Sequence, residues 1–167
     1  MTTRKAFTPD EWETLLVAPM SAGMYVLLIN LNVMGFIKSA KALNDAISAV
    51  SERSDNTELL RDILADYQNK ELMKQFAPDL YDADPELFKE DILERMQDAV
   101  DILQEKATAE ESRQIRQWIF DLVLTTARAT RDGGFLGIGS VRLNDQEKSM
   151  LADIGGILDI ETDLGPE

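Results

Sequence analysis

Thirty-one Asp and Glu residues, 17 Lys and Arg and three Tyr are the side chains here that could move protons or hold ions. His is absent from the 167 residues, and so is Cys. Without His there is no Ser-His-Asp relay, no imidazole-held zinc or haem, and no general base whose ordinary pKa lies near neutrality. Without Cys there is no thiolate nucleophile, iron–sulfur cluster or disulfide, and the redox compartment leaves no mark on the sequence. Carboxylate oxygens remain, and they suit hard cations, so calcium, magnesium and manganese are the cofactors to consider. Magnesium-assisted hydrolysis between paired carboxylates is chemically allowed, yet nothing singles out a pair among 31 acids. The chain reads as non-enzymatic.

Two loops could bind ions by their composition. Asp79, Asp82, Asp84 and Glu86 crowd one of them. A calcium loop of the EF-hand type needs Gly at its sixth position and Glu at its twelfth. Counting from Asp82, those positions hold Leu87 and Leu93. Asp84 reads instead as a helix cap ahead of Pro85, and the others as solvated charges. The second loop, residues 131–140, holds Gly133, Gly134, Gly137 and Gly139. Its glycines do not fall in the dinucleotide pattern, no Lys-Ser/Thr follows, and a helix rather than a strand precedes it. It reads as a helix C-cap at Gly133 or Gly134 with a Phe135–Leu136 turn, which would dock a partner if exposed.

The helix expected from Ala109 to Thr130 has two apolar sides. At about 100° per residue, Ile115, Trp118, Ile119, Leu122 and Thr126 share one face, and Phe120 and Leu124 fall nearly opposite. A central helix between two layers, anchored by Trp118, accounts for both. Arg113, Arg116, Arg128 and Arg131 surround the second face, and an apolar centre with an Arg rim is also the composition of a partner-binding patch. The expected partner-binding residues are therefore Arg113, Arg116, Phe120, Leu124 and Arg128, with Phe135 and Leu136. The partner would be another protein or a second copy of the chain.

Helix signals recur along the whole sequence. Thr8 with Pro9 and Glu11 forms a capping box, as do Thr108 with Glu111 and Asn144 with Glu147. Residues 14–37 carry no charge, long enough to raise the question of a membrane span. Pro19 should break a helix there, Asn30 and Asn32 would place amides at depth, and Gly35 signals a turn. The expectation is a short first helix through Leu16, then a buried helix from about Met20 to Leu31, with a membrane-associated segment as the alternative. Asn30 and Asn32 read as helix-terminal residues.

Phe36, Ala40, Leu43, Ile47 and Val50 then make a one-sided stripe. Asp55 with Glu58 is expected to cap the next helix, whose apolar side is Leu59, Ile63 and Tyr67. Phe88, Ile92, Met96, Val100 and Leu103 follow, and Met150, Leu151, Ile154 and Leu158 close the series. No segment alternates as a strand does.

The expected fold is a single all-α domain of six or seven helices over residues 1–160, with a short acidic tail at 161–167. The formal charge of −14 repels phosphate backbones, which argues against nucleic acid as a partner. The first twelve residues reach two acids, Asp10 and Glu11, with no apolar run before them, so they do not read as a secretory signal, and the expected compartment is the cytoplasm.

The run Thr126-Ala127-Arg128-Ala129-Thr130-Arg131-Asp132-Gly133, followed by Asn144-Asp145-Gln146-Glu147 and a helix, resembles the tellurite-resistance TerB-like proteins. Residues 115–158 carry the likeness, and Leu27 to Leu43 echo it with Asn32 where Asp is favoured. The resemblance implies a helical domain, a link to stress or tellurite resistance, and partner or divalent-cation binding, with Asp132 and Glu147 as the acidic candidates. This chain inserts residues 134–143 between the Asp-Gly and the second helix, a departure from the family's short connection.

Overall fold

A computed structural model describes residues 1–29, 33–75, 85–129 and 145–161. Its helices begin where short-range hydrogen bonds satisfy the N–H groups that a first turn leaves open. Thr8 donates its backbone N–H to Glu11 Oε2 (2.7 Å), and Glu11 returns its own to Thr8 Oγ1 (3.3 Å). This reciprocal box opens α1, Pro9–Ile29. The same exchange between Thr108 and Glu111 opens α6, Ala109–Ala129. Between them lie α2 (Val33–Ser51), α3 (Glu58–Gln68), α4 (Lys70–Gln75) and α5 (Pro85–Lys106), and α7 (Asp145–Leu158) follows. A single 3-10 turn, Arg4–Ala6, precedes α1. There is no strand among the described residues, and the all-α expectation is met.

Pro19 does not break α1. A proline withholds one helical N–H and crowds the carbonyl a turn earlier. Here packing holds the helix together: Leu15, Leu16, Ala18 and Ala22 on either side of the proline are buried in the core, and Tyr67 of α3 donates its hydroxyl to the carbonyl of Leu16. Gly35 likewise marks no turn, because α2 already runs from Val33. Thr57, not Asp55, caps α3, accepting from the Leu60 N–H, while Asp55 is taken by Arg53. The six-residue α4 has no counterpart in the sequence expectations.

α6 packs against α1, α2, α3, α5 and α7, the position of a central helix. Ile115, Trp118, Ile119, Leu122 and Val123 are buried in one continuous core with Leu16, Ile63, Met96, Leu103 and Ile154. Each such side chain contributes roughly 1.5–3 kcal/mol by leaving water. α2 approaches α1 at Gly23, where a Cβ would lie 3.1 Å from Leu43 Cδ1. No helix among the described residues is long and apolar enough to cross a membrane.

The C-terminus of α7 is closed from two directions. Ile160 donates its N–H to Gly155 O (2.9 Å) and Asp159 to Gly156 O (3.3 Å), with Asp159 in the left-handed region at φ 52°. That is a Schellman motif with Asp where Gly is usual. Arg116 of α6 adds a side-chain donor to Leu158 O at 3.0 Å.

Candidate functional site: a hollow between α2, α3 and α6

The residues expected to bind a partner separate in the structure. Phe120, the expected exposed centre, is buried at 5 % exposure because neighbouring helices cover that side of α6 as well. Arg116 is half-buried and serves the α7 terminus through its Nη1. Leu124 is half-buried against the core. Arg113 and Arg128 are exposed. Phe135, Leu136 and Asp132 lie outside the described residues, as do Asn30, Asn32, the loop at 76–84 and the tail from 162. Glu147, the other acidic candidate, has a fully buried side chain in the first turn of α7. No group of three or more carboxylates converges as a cation site would among the described residues.

Arg113 is the expected residue that lines a concavity. α6 presents two rows there, each spaced by four: Arg113, Gln117 and Asp121 on the outer side, Gln114 and Trp118 deeper. Val50 from the end of α2, Arg53, Asp55 and Asn56 from the connection, and Leu60 from α3 complete a hollow of about 220 Å³.

Gln114 fixes this connection to α6. Its Nε2 donates to Asp55 O (2.9 Å) and its Oε1 accepts from the Thr57 N–H (2.7 Å). Asn56, buried at 5 % exposure, donates to Val50 O at 2.6 Å and ties the turn to the end of α2. The hollow is therefore held by hydrogen bonds to backbone groups, which fixes its shape better than packing alone.

Its charges are mostly spoken for. Arg53 makes a bidentate pair with Asp55, at 3.0 Å and 2.7 Å. Hydrogen bonding to Asp55 raises the Arg53 guanidinium pKa, and the same contact lowers that of the Asp55 carboxyl. Gln117 donates to Asp121 at 2.9 Å. Arg113 has no hydrogen bond or ion pair among the described residues. Trp118, also in the lining, packs edge-on against Tyr67, with centroids 5.7 Å apart, and its indole Nε1 is buried without an acceptor.

A larger cleft of about 560 Å³ lies between α1 and α5, with Asp10, Glu13, Asp91, Glu94 and Asp98 on its walls. Its one cation, Arg95, is bound to Asp91 at 2.8 Å. That cleft offers carboxylates to water and no buried group awaiting a partner.

Sequence reasoning reached Arg113 and Trp118 but missed Arg53, Asn56, Leu60, Gln114 and Gln117. The four-residue spacing on α6 was a usable signal for Gln114 and Gln117. Nothing local marks the α2–α3 connection, which only tertiary packing brings to α6. No protein-family model matches the chain, and no curated protein or solved structure matches it either.

Proposed function

We propose that this chain is a non-catalytic helical interaction protein that docks a partner protein over the hollow between α2, α3 and α6. One observation carries the reading: in a chain of net charge −14, Arg113 stands exposed and unpaired at the rim of a hollow whose other charges are already engaged. Arg53 and Arg113 balance Asp55 and Asp121, so the hollow is formally neutral while the rest of the chain is strongly acidic. The acidic surface turns other acidic molecules away, and an electroneutral concavity with one free guanidinium is where a contact meets least repulsion. Arg is also among the residues that dominate binding energy at interfaces. The link to tellurite resistance and stress belongs to the resemblance of residues 115–158 and adds nothing to this geometry.

Photo-crosslinking tests the reading. A crosslinker placed at exposed Gln117 should give a discrete protein adduct that disappears with Arg113→Glu. The same group at exposed Gln97 on α5 should give none. Equal adducts from both positions, or an adduct at Gln117 indifferent to Arg113→Glu, would refute docking at this hollow.

A further inference from the structure

We propose that Trp12 and Asp66 form a binding site for the arginine side chain of a partner protein, and that Arg4 of the chain itself holds this site closed. The site lies on α1 and α3 and is separate from the hollow described above, so it does not depend on docking there. Its chemistry is set by the group that fills it. The Arg4 guanidinium lies over the Trp12 ring, 5.5 Å from the centroid, and donates from Nη1 to Asp66 Oδ2 at 2.9 Å. The same oxygen accepts the Trp12 Nε1–H at 2.8 Å. One carboxylate therefore fixes both the aromatic plane and the cation above it. A planar guanidinium stacks on an indole while its outer donors reach a carboxylate at the ring edge, a geometry that suits arginine better than lysine.

Arg4 is placed to leave. Its side chain is 57 % exposed against 17 % for Asp66, so it enters the site from solvent, and an exposed pair of this kind adds little to stability. The backbone around it is held by other groups. Arg4 donates its N–H to Asp62 Oδ2 (3.0 Å), Thr2 donates its N–H to Glu111 Oε1 (2.8 Å), and Phe7 packs against Trp12 with centroids 5.7 Å apart. The guanidinium can turn away without undoing any of these contacts.

A second observation supplies room for a replacement. A concavity of about 340 Å³ adjoins Arg4, with Phe7, Trp12, Leu16 and Leu72 as apolar walls and Glu13 as the other charge in its lining. That volume falls within the ~300–1,000 Å³ of ligand sites, and the walls suit the stem of an incoming arginine and an apolar neighbour. With Arg4 turned out, Glu13 and Asp66 are left to meet a cation, and the chain's charge of −14 draws basic segments towards them. Tethered Arg4 competes at an effective concentration of roughly millimolar, so a stray cation stays out and an arginine anchored by further contacts gets in.

Arg4→Ala removes the occupant and keeps the backbone contacts. The probes are ethylguanidinium, ethylurea as its uncharged counterpart, and the blocked tripeptide acetyl-Leu-Arg-Leu-amide. The readout is the pair of indole N–H signals in a proton–nitrogen correlation spectrum, since the chain has two Trp. Trp12→Phe assigns them, and Trp118, packed edge-on against Tyr67, is the internal control and the report of folding. In Arg4→Ala the Trp12 signal should move with ethylguanidinium and saturate in the millimolar range, while that of Trp118 stays fixed. The response should be weaker by roughly tenfold or more with ethylurea, in the wild type, and in Lys5→Ala, which removes a neighbouring charge and keeps Arg4. The tripeptide should bind Arg4→Ala roughly tenfold more tightly than ethylguanidinium does.

A Trp12 signal that never moves in Arg4→Ala, or that moves equally with ethylurea, in the wild type or in Lys5→Ala, overturns the inference. So does a tripeptide that binds no more tightly than ethylguanidinium, because a partner's segment would then gain nothing over a small cation. Misfolding of Arg4→Ala would show in the Trp118 signal, and Arg4→Gln, which keeps the stem, then carries the same comparison.

Discussion

Replacing Glu111 with Gln tests how the start of α6 is held. Glu111 is 3 % exposed, yet its carboxylate accepts from Thr2 N (2.8 Å), Thr108 N (2.9 Å) and Thr108 Oγ1 (2.8 Å). Burial works to raise its pKa, but these donors, the Thr2 and Thr108 N–H groups foremost, outweigh it and hold the carboxyl down to about 2. Set against an unfolded value of about 4.3, that difference corresponds to on the order of 3 kcal/mol of stability at neutral pH. Because the folded pKa is the lower one, the contribution is complete above the unfolded value and is lost as pH falls through it towards about 2.

Glu111→Gln keeps the size and one acceptor oxygen but removes the charge. Urea unfolding followed by helical circular dichroism should show it less stable by about 2–3 kcal/mol at neutral pH. The gap should narrow steadily as the buffer is taken from about pH 5 to about pH 3, since the unfolded wild type then binds a proton that folding must expel. A gap that stays constant over that range would refute the argument that the charged form is what the three donors stabilise.

Three further outcomes follow from particular contacts. Tyr67→Phe removes the hydroxyl that reaches Leu16 O beside Pro19, and should lower stability by about 1–2 kcal/mol in the same urea assay. Arg116→Ala leaves Leu158 O without its side-chain donor and should cost about 1–3 kcal/mol, with hydrogen exchange fastest at the end of α7. Gly156→Ala adds a methyl group with nothing within 4 Å, so a calorimetric melt should show stabilisation by about 0.5–1 kcal/mol from helix propensity.

Several elements were readable because they depend on neighbours only a few residues away. The Thr8–Glu11 and Thr108–Glu111 boxes are three-residue relations, and both form as their spacing implies. Ile92, Met96, Val100 and Leu103 recur on one side of a helix, and all four are buried. Met150, Leu151, Ile154 and Leu158 behave in the same way. Thr57 was missed as the cap of α3 because Asp55 and Glu58 show an equally plausible local pattern. The choice fell to Thr57 once Asp55 was engaged by Arg53 and by Gln114 from α6.

The two apolar sides of α6 show the limit most clearly. Periodicity says that both sides of such a helix avoid water, but it does not say whether a neighbour within the chain or a partner covers the second. Packing against five other helices answers that for Phe120. Arg113 was nominated as the rim of a face that turned out to be closed, and it stands instead beside a hollow whose other wall is some sixty residues away in the chain.

By itself, then, the sequence determined the helical class, most helix starts, the core stripes, and the absence of imidazole and thiol chemistry, because caps, periodicity and residue types are local properties. Only the tertiary structure decided that α1 runs through Pro19, that Arg116 closes α7, and that Arg53, Asn56 and Trp118 share one concavity. Each of these depends on groups far apart in the chain, and their meeting is fixed by how the helices stack.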